Sequence, residues 1–158
     1  MIADWINQYD AGPRQLRDAV AGLSREQLLW KPPADLSVGL WSIHQIVIHM
    51  ADSDAIGVHR LKRVIAEDKP LLIGYDESAF VRSLNYDDQS ADEALTLFEL
   101  ARRSVVVTLR KLPPDAFARI GIHNEVGAIR LDDFVHKYVK HLNHHLDFIR
   151  RKRAVMKV

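Results

Sequence analysis

A chain of 158 residues, 47% hydrophobic and 27% charged, has the size and balance of one soluble domain spanning residues 1–158, able to bury roughly 70% of the surface its unfolded form exposes. A net charge of +1 gives no basic excess for nucleic acid. The absence of cysteine excludes disulfides, thiolate catalysis and thiolate zinc sites, and fits a reducing cytoplasm.

The first long helix is expected over residues 2–22, where Pro13 is expected to kink or restart it. Its opening, "MIADWINQYDAG", lacks a basic segment followed by an apolar run, so no signal peptide is expected. No stretch approaches the ~18 apolar residues of a membrane span. Ser24 and Gln27 form a capping-box pattern for a short helical turn, which Pro32 and Pro33 end. A second long helix follows from Ser42 to Ala66, with Ser42 as N-cap. Ile43, Ile46, Val47, Met50, Gly57, Val58, Leu61, Val64 and Ile65 make one stripe at helical spacing.

Residues 67–89 break periodicity and read as a long functional or crossover loop. The third helix opens at Ser90, with Glu93 completing another capping box, and stops near Leu112 before Pro113 and Pro114. Residues 113–130 suggest a turn and a small extended excursion around Gly121 and Gly127. The last helix is expected over Asp132–Arg153. Its basic tail, "RRKRAVMK", complements a helix C-terminus rather than marking a nucleic-acid patch. Four amphipathic helices with almost no strand pattern predict an all-α fold, a four-helix bundle with a long crossover between the second and third helices.

The segment "KYVKHLNHHLDFIRR" concentrates histidines on the last helix. Phe134, Tyr138, Leu142, Leu146 and Ile149 mark the apolar face. At about 100° per residue His145 falls inside it and His141 at its margin, whereas His144 and His136 point to the polar side. His141 and His145 are thus an i, i+4 pair, able to share an ion or to sit as ordinary core or boundary residues; a third ligand must decide. His49 lies at the edge of the buried stripe of the second helix. Asp54 falls on that stripe, which is costly for a carboxylate unless a cation accompanies it. Tyr75, Asp76 and His123 lie in the two long connections and are candidates for a pocket rim.

"GLWSIHQIVIHMADSD" resembles the second-helix motif of the DinB superfamily, a tryptophan at the helix start followed by H-x-A-D-S. "YVKHLNHHLDFI" resembles its last-helix H-x-x-H-H motif. "EDKPLLIGYDE", "LPPDAFAR" and "HNEVGAIRLDDFV" resemble the YfiT branch, whose members are described as candidate metal-dependent hydrolases and bacillithiol S-transferases. The resemblance covers nearly the whole chain. It implies one divalent metal ion, zinc or nickel, held by His49, His141 and His145, with a small-molecule substrate, a low-molecular-weight thiol among the candidates. It also implies a homodimer; the charge balance, the lack of a long apolar run and the absence of cysteine give the expectation of a cytoplasmic protein without nucleic-acid or membrane partners.

Two departures from that branch stand out: Asp54 occupies the place of a histidine in the usual D-S-H, and Phe148 the place of a further histidine. Three imidazoles leave an open coordination position, the layout of a catalytic zinc site. Asp52, Asp54 and Tyr138 are the candidates for orienting the rings. The expected activity is hydrolysis or thiol transfer. A thiol-dependent isomerase of the maleylpyruvate type and a non-enzymatic metal-binding stress-response bundle are the alternatives.

Overall fold

The computed structural model describes residues 2–158. In chain order they form α1 (Ile2–Val20), α2 (Arg25–Leu29), α3 (Ile43–Ala66), β1 (Leu71–Leu72), α4 (Glu77–Ser83), α5 (Ala91–Leu109), β2 (Ile120–His123), β3 (Gly127–Arg130) and α6 (Leu131–Met156). The long helices α1, α3, α5 and α6 make the bundle. α3 packs on α5 and α6, and α1 on the same two. Among the described residues, no helix is long and apolar enough to cross a membrane.

The start signals act as their chemistry requires. Ser42 accepts the Gln45 N–H at 3.1 Å while the Gln45 side chain accepts the Ser42 N–H at 3.1 Å, closing a capping box that fixes the first turn of α3. Ser24 and Gln27 do the same for α2. At α5, Ser90 accepts the Glu93 N–H at 3.3 Å, which is one half of the expected box.

Pro13 does not restart α1, which runs as one helix from Ile2 to Val20 rather than to residue 22. A proline inside a helix withholds an N–H from the carbonyl four residues earlier, here that of Tyr9. Arg102 Nη1 supplies the missing donor at 3.0 Å. Gly12 makes room, because a Cβ there would overlap the guanidinium. Arg102 is fully buried, lies against the rings of Tyr9 and Phe98 at 4.2 and 4.3 Å, and forms a two-pronged ion pair with Asp54. One side chain therefore joins α5 to α1 and α3.

Residues 67–89, expected as a loop, contain β1, α4 and a 3₁₀ turn at Tyr86–Asp88. The extended excursion is an antiparallel hairpin of β2 and β3, and β1 joins β2 in parallel, Leu71 opposite Ile122. Strands of two to four residues are too short for alternation to show in the sequence. The third helix stops at Leu109 rather than Leu112, and the last runs to Met156 rather than Arg153.

Candidate metal centre

α3 and α6 approach closely where Gly57 faces Tyr138; a Cβ at 57 would overlap the Tyr138 ring. Two turns earlier α3 presents His49, and one turn later α6 presents His141 and then His145. His49 is fully buried and His145 nearly so. The Nε2 atoms of His49 and His145 each lie 3.1 Å from Nε2 of His141. Ligand atoms of all three residues lie within 4.8 Å of one another.

A neutral imidazole carries one ring proton. His141 Nε2 therefore donates to at most one of its two neighbours, and three nitrogens facing one another leave lone pairs opposed. A cation resolves this. Nitrogens bound tetrahedrally at about 2.0–2.1 Å stand about 3.3 Å apart, close to the spacing observed. The rings are also in the protonation state a metal requires. Burial, then the neighbouring His141, lowers the pKa of His49 to about 3. Burial, followed by the charges of Arg102, His144 and Lys137, brings His141 to about 4. Burial, then His141, His49, His144 and Lys152, takes His145 to about 2. The donor set fits a divalent ion that accepts imidazole nitrogen.

Coordination through Nε2 leaves the hydrogen on Nδ1. The buried Nδ1 atoms of His49 and His145 have no hydrogen-bond partner among the described residues, and His141 Nδ1 has only Ser53 Oγ at 3.5 Å. Packing orients the rings instead. The Trp41 ring lies 5.0 Å from that of His49 and stacks nearly parallel to that of His145 at 6.2 Å.

The residues expected to orient the histidines are dispersed. Asp54 points away into the core, where its partners are Arg102 at 2.7 and 3.1 Å and the Tyr9 hydroxyl at 3.2 Å. The cation that accounts for its burial is the Arg102 guanidinium rather than a metal ion. Asp52 accepts from the Tyr86 hydroxyl at 2.5 Å. Tyr138 alone of the three lines a cleft with His141. Of the expected rim residues, Tyr75 and His123 line the same cleft, while Asp76 caps α4 by accepting the Ala79 N–H at 2.9 Å. His144 is exposed at the edge of a second cleft, with its ring 5.4 Å from His145, and His136 stacks on Trp5 at 4.2 Å.

Sequence reasoning missed Glu77. The first residue of α4, it brings Oε2 to 3.9 Å from His49 Nε2, and burial holds its carboxyl above the usual carboxylate range. No periodicity argument places a carboxylate from a long connection; the Asp76 cap was the only local signal. Two clefts meet at Glu77 and His141. One, of about 130 Å³, is lined by Arg60, Tyr75, His123 and Tyr138 among others; the other, of about 500 Å³, includes Leu40, Trp41 and Phe148 in its walls.

The family model described as the DinB superfamily matches residues 8–149. A candidate metal-dependent hydrolase of Oceanobacillus iheyensis is 32% identical over 149 residues, covering 94% of this chain and 84% of the relative. YfiT of Bacillus subtilis, also named as a candidate metal-dependent hydrolase, is 31% identical over 148 residues, covering 92% and 80%. A solved structure of YfiT, described as a probable metal-dependent hydrolase with an unusual four-helix bundle topology, superposes with a TM-score of 0.90 at 26% identity, covering 99% of this chain and 87% of that one. The fold, the three-histidine cluster and these likenesses agree: this chain belongs to the DinB superfamily.

Proposed function

We propose that the protein is a metal-dependent enzyme whose zinc or nickel ion is held by Nε2 of His49, His141 and His145, and which transfers a low-molecular-weight thiol to an electrophile or hydrolyses a small substrate. The observation that carries this reading is the convergence of three neutral, buried imidazole nitrogens at 3.1 Å spacing. Such an ion supplies Lewis acidity, lowering the pKa of a water or thiol at its open position. The chain supplies the rest. Glu77 Oε2, 3.9 Å from His49 Nε2, accepts the released proton. Trp41 excludes water from the faces of His49 and His145.

Two clefts meeting at Glu77 and His141 suit two reactants, which favours transfer over hydrolysis. A chain without cysteine fits the reducing cytoplasm, and we assign it there. A homodimer is also proposed: Leu97, Leu100 and Val107 form an exposed apolar stripe along α5, and light scattering tests the pairing.

The experiment is metal analysis of the purified protein combined with thiol consumption in the presence of monobromobimane. About one zinc or nickel per chain with metal-dependent thiol consumption is expected. Metal without turnover of either thiols or small esters favours the non-enzymatic bundle, and absence of metal affinity overturns the reading.

A further inference from the structure

The cleft beside His141 contains a buried guanidinium that has no ion-pair partner among the described residues. Arg60 is 8% exposed. Its guanidinium donates to the carbonyl of Ile73 and stands close enough to the Tyr138 hydroxyl to oppose the effect of burial on it. Among the described residues no carboxylate lies within ion-pair distance of it. A buried cation without a counter-charge is costly.

The surrounding groups are donors as well. His123, 3% exposed, accepts the Glu125 N–H on Nδ1 at 3.2 Å, so the neutral ring carries its hydrogen on Nε2. The Tyr75 hydroxyl is buried and completes no hydrogen bond among the described residues, although Ser53 is near enough to influence it. The two carboxylates of the cleft, Glu77 and Glu125, are both exposed. Lys137, also exposed, sits close enough to Glu77 to oppose the effect of burial on its carboxyl. The buried polar groups of the cleft are Arg60, His123, Tyr75 and Tyr138, donors with one fixed positive charge, while the carboxylates Glu77 and Glu125 stand at its exposed rim.

We infer that this cleft is an oxyanion subsite that holds the carboxylate of a small substrate through Arg60 and Tyr75, beside the three-histidine centre. The planar guanidinium matches a carboxylate, and charge-assisted hydrogen bonds are the stronger kind. His141 lines this cleft and takes part in the triad, so a short molecule anchored at Arg60 reaches the ion with its other end. That last step rests on the metal reading above; the carboxylate subsite itself does not. The larger cleft, walled by Leu40, Trp41 and Phe148, is left for an apolar second reactant.

Two titrations of the full chain test this. In the zinc-loaded protein, 3-mercaptopropionate is compared with 2-mercaptoethanol by calorimetry; both offer a thiol to the metal and only one offers a carboxylate. At least a tenfold preference for the acid is expected, falling below threefold in Tyr75→Phe and in Arg60→Lys. Tyr75→Phe removes a hydroxyl that has Ser53 nearby and completes no hydrogen bond among the described residues, so the fold is expected to be retained and the test stays decisive if Arg60→Lys does not fold. In the EDTA-treated protein, propionate should shift the ring resonances of Tyr75 and His123, and inorganic phosphate should compete weakly or not at all.

Equal affinity for the two thiols, or an acid preference unchanged in Tyr75→Phe, overturns the subsite. Tighter binding of phosphate than of propionate overturns the carboxylate assignment. A protein that binds no zinc but still shows the propionate response retains the subsite while the metal reading fails. Zinc binding without acid preference has the opposite meaning.

Discussion

His49 and His141, separated by 92 residues of sequence, bring their Nε2 atoms to 3.1 Å, with His145 meeting the same atom from the next turn of α6. Replacing either outer ring with alanine should reduce bound metal from about one ion per chain to near zero and weaken affinity by more than about 100-fold, because a ligand is lost rather than reoriented. His144→Ala, at the exposed edge, should leave metal content unchanged. Metal analysis after dialysis against a chelator of known affinity checks both. Unchanged metal in His145→Ala would falsify the assigned ligand set.

The lowered histidine pKa values set a pH dependence in the metal-free protein. Folded His49, His141 and His145 take up protons only near pH 3, 4 and 2, whereas unfolded histidine does so near 6.5. Between about pH 4 and 6.5 the unfolded chain binds more protons, so stability rises with pH across that window, by up to about 1.4 kcal/mol per pH unit for each ring. Urea denaturation of EDTA-treated protein should give a midpoint that climbs from pH 4.5 to 6.5 and then levels off. A flat profile there counts against burial of the triad as neutral rings.

Arg102 and Asp54 are both inaccessible to solvent. Removing either alone, as in Arg102→Met or Asp54→Asn, should cost about 3–5 kcal/mol, since the remaining partner is left uncompensated in the core. Arg102→Met also strands the Tyr9 carbonyl below Pro13. Arg102→Met combined with Asp54→Leu should lose less than the sum of the single changes. A double-mutant cycle from chemical denaturation measures the coupling, and strict additivity would contradict the pairing.

Gly57→Ala places a methyl group against the Tyr138 ring and should push α3 from α6. Overpacking of this kind costs about 1–3 kcal/mol. Because the same approach draws His49 to His141, metal affinity should fall along with stability. A variant that loses stability at unchanged affinity would show that the helix spacing at Gly57 does not set the triad.

Trp41 stands over two of the three rings, whereas Trp5 stacks on His136. Adding zinc to metal-free protein should change tryptophan emission, and Trp41→Phe should abolish most of that response. Persistence of the full signal in Trp41→Phe would place the ion elsewhere.

Periodicity separated His141 and His145 from His144, because each lies at a computable angle on one helix. It also placed Asp54 inward, and it could not reveal what awaited it there. The partner, Arg102, lies on another helix, and a guanidinium there reads in sequence as an ordinary surface charge. The same limit hid Glu77 and the pairing of β1 with β2. Both depend on how a long connection folds back, which is settled by contacts between distant segments and not by any local repeat. Asp52 illustrates the converse: one turn from His49, it was a natural candidate to orient that ring, yet the direction of its side chain gives it to Tyr86.

The separation between His49 and His141 has a consequence for folding. In a chain with no cysteine, an ion shared by these residues would act as a reversible staple across a loop of 92 residues. A covalent link closing a loop of that size removes about 4–5 kcal/mol of entropy from the unfolded ensemble. Metal supply would then govern how long the protein survives unfolding as well as whether it reacts.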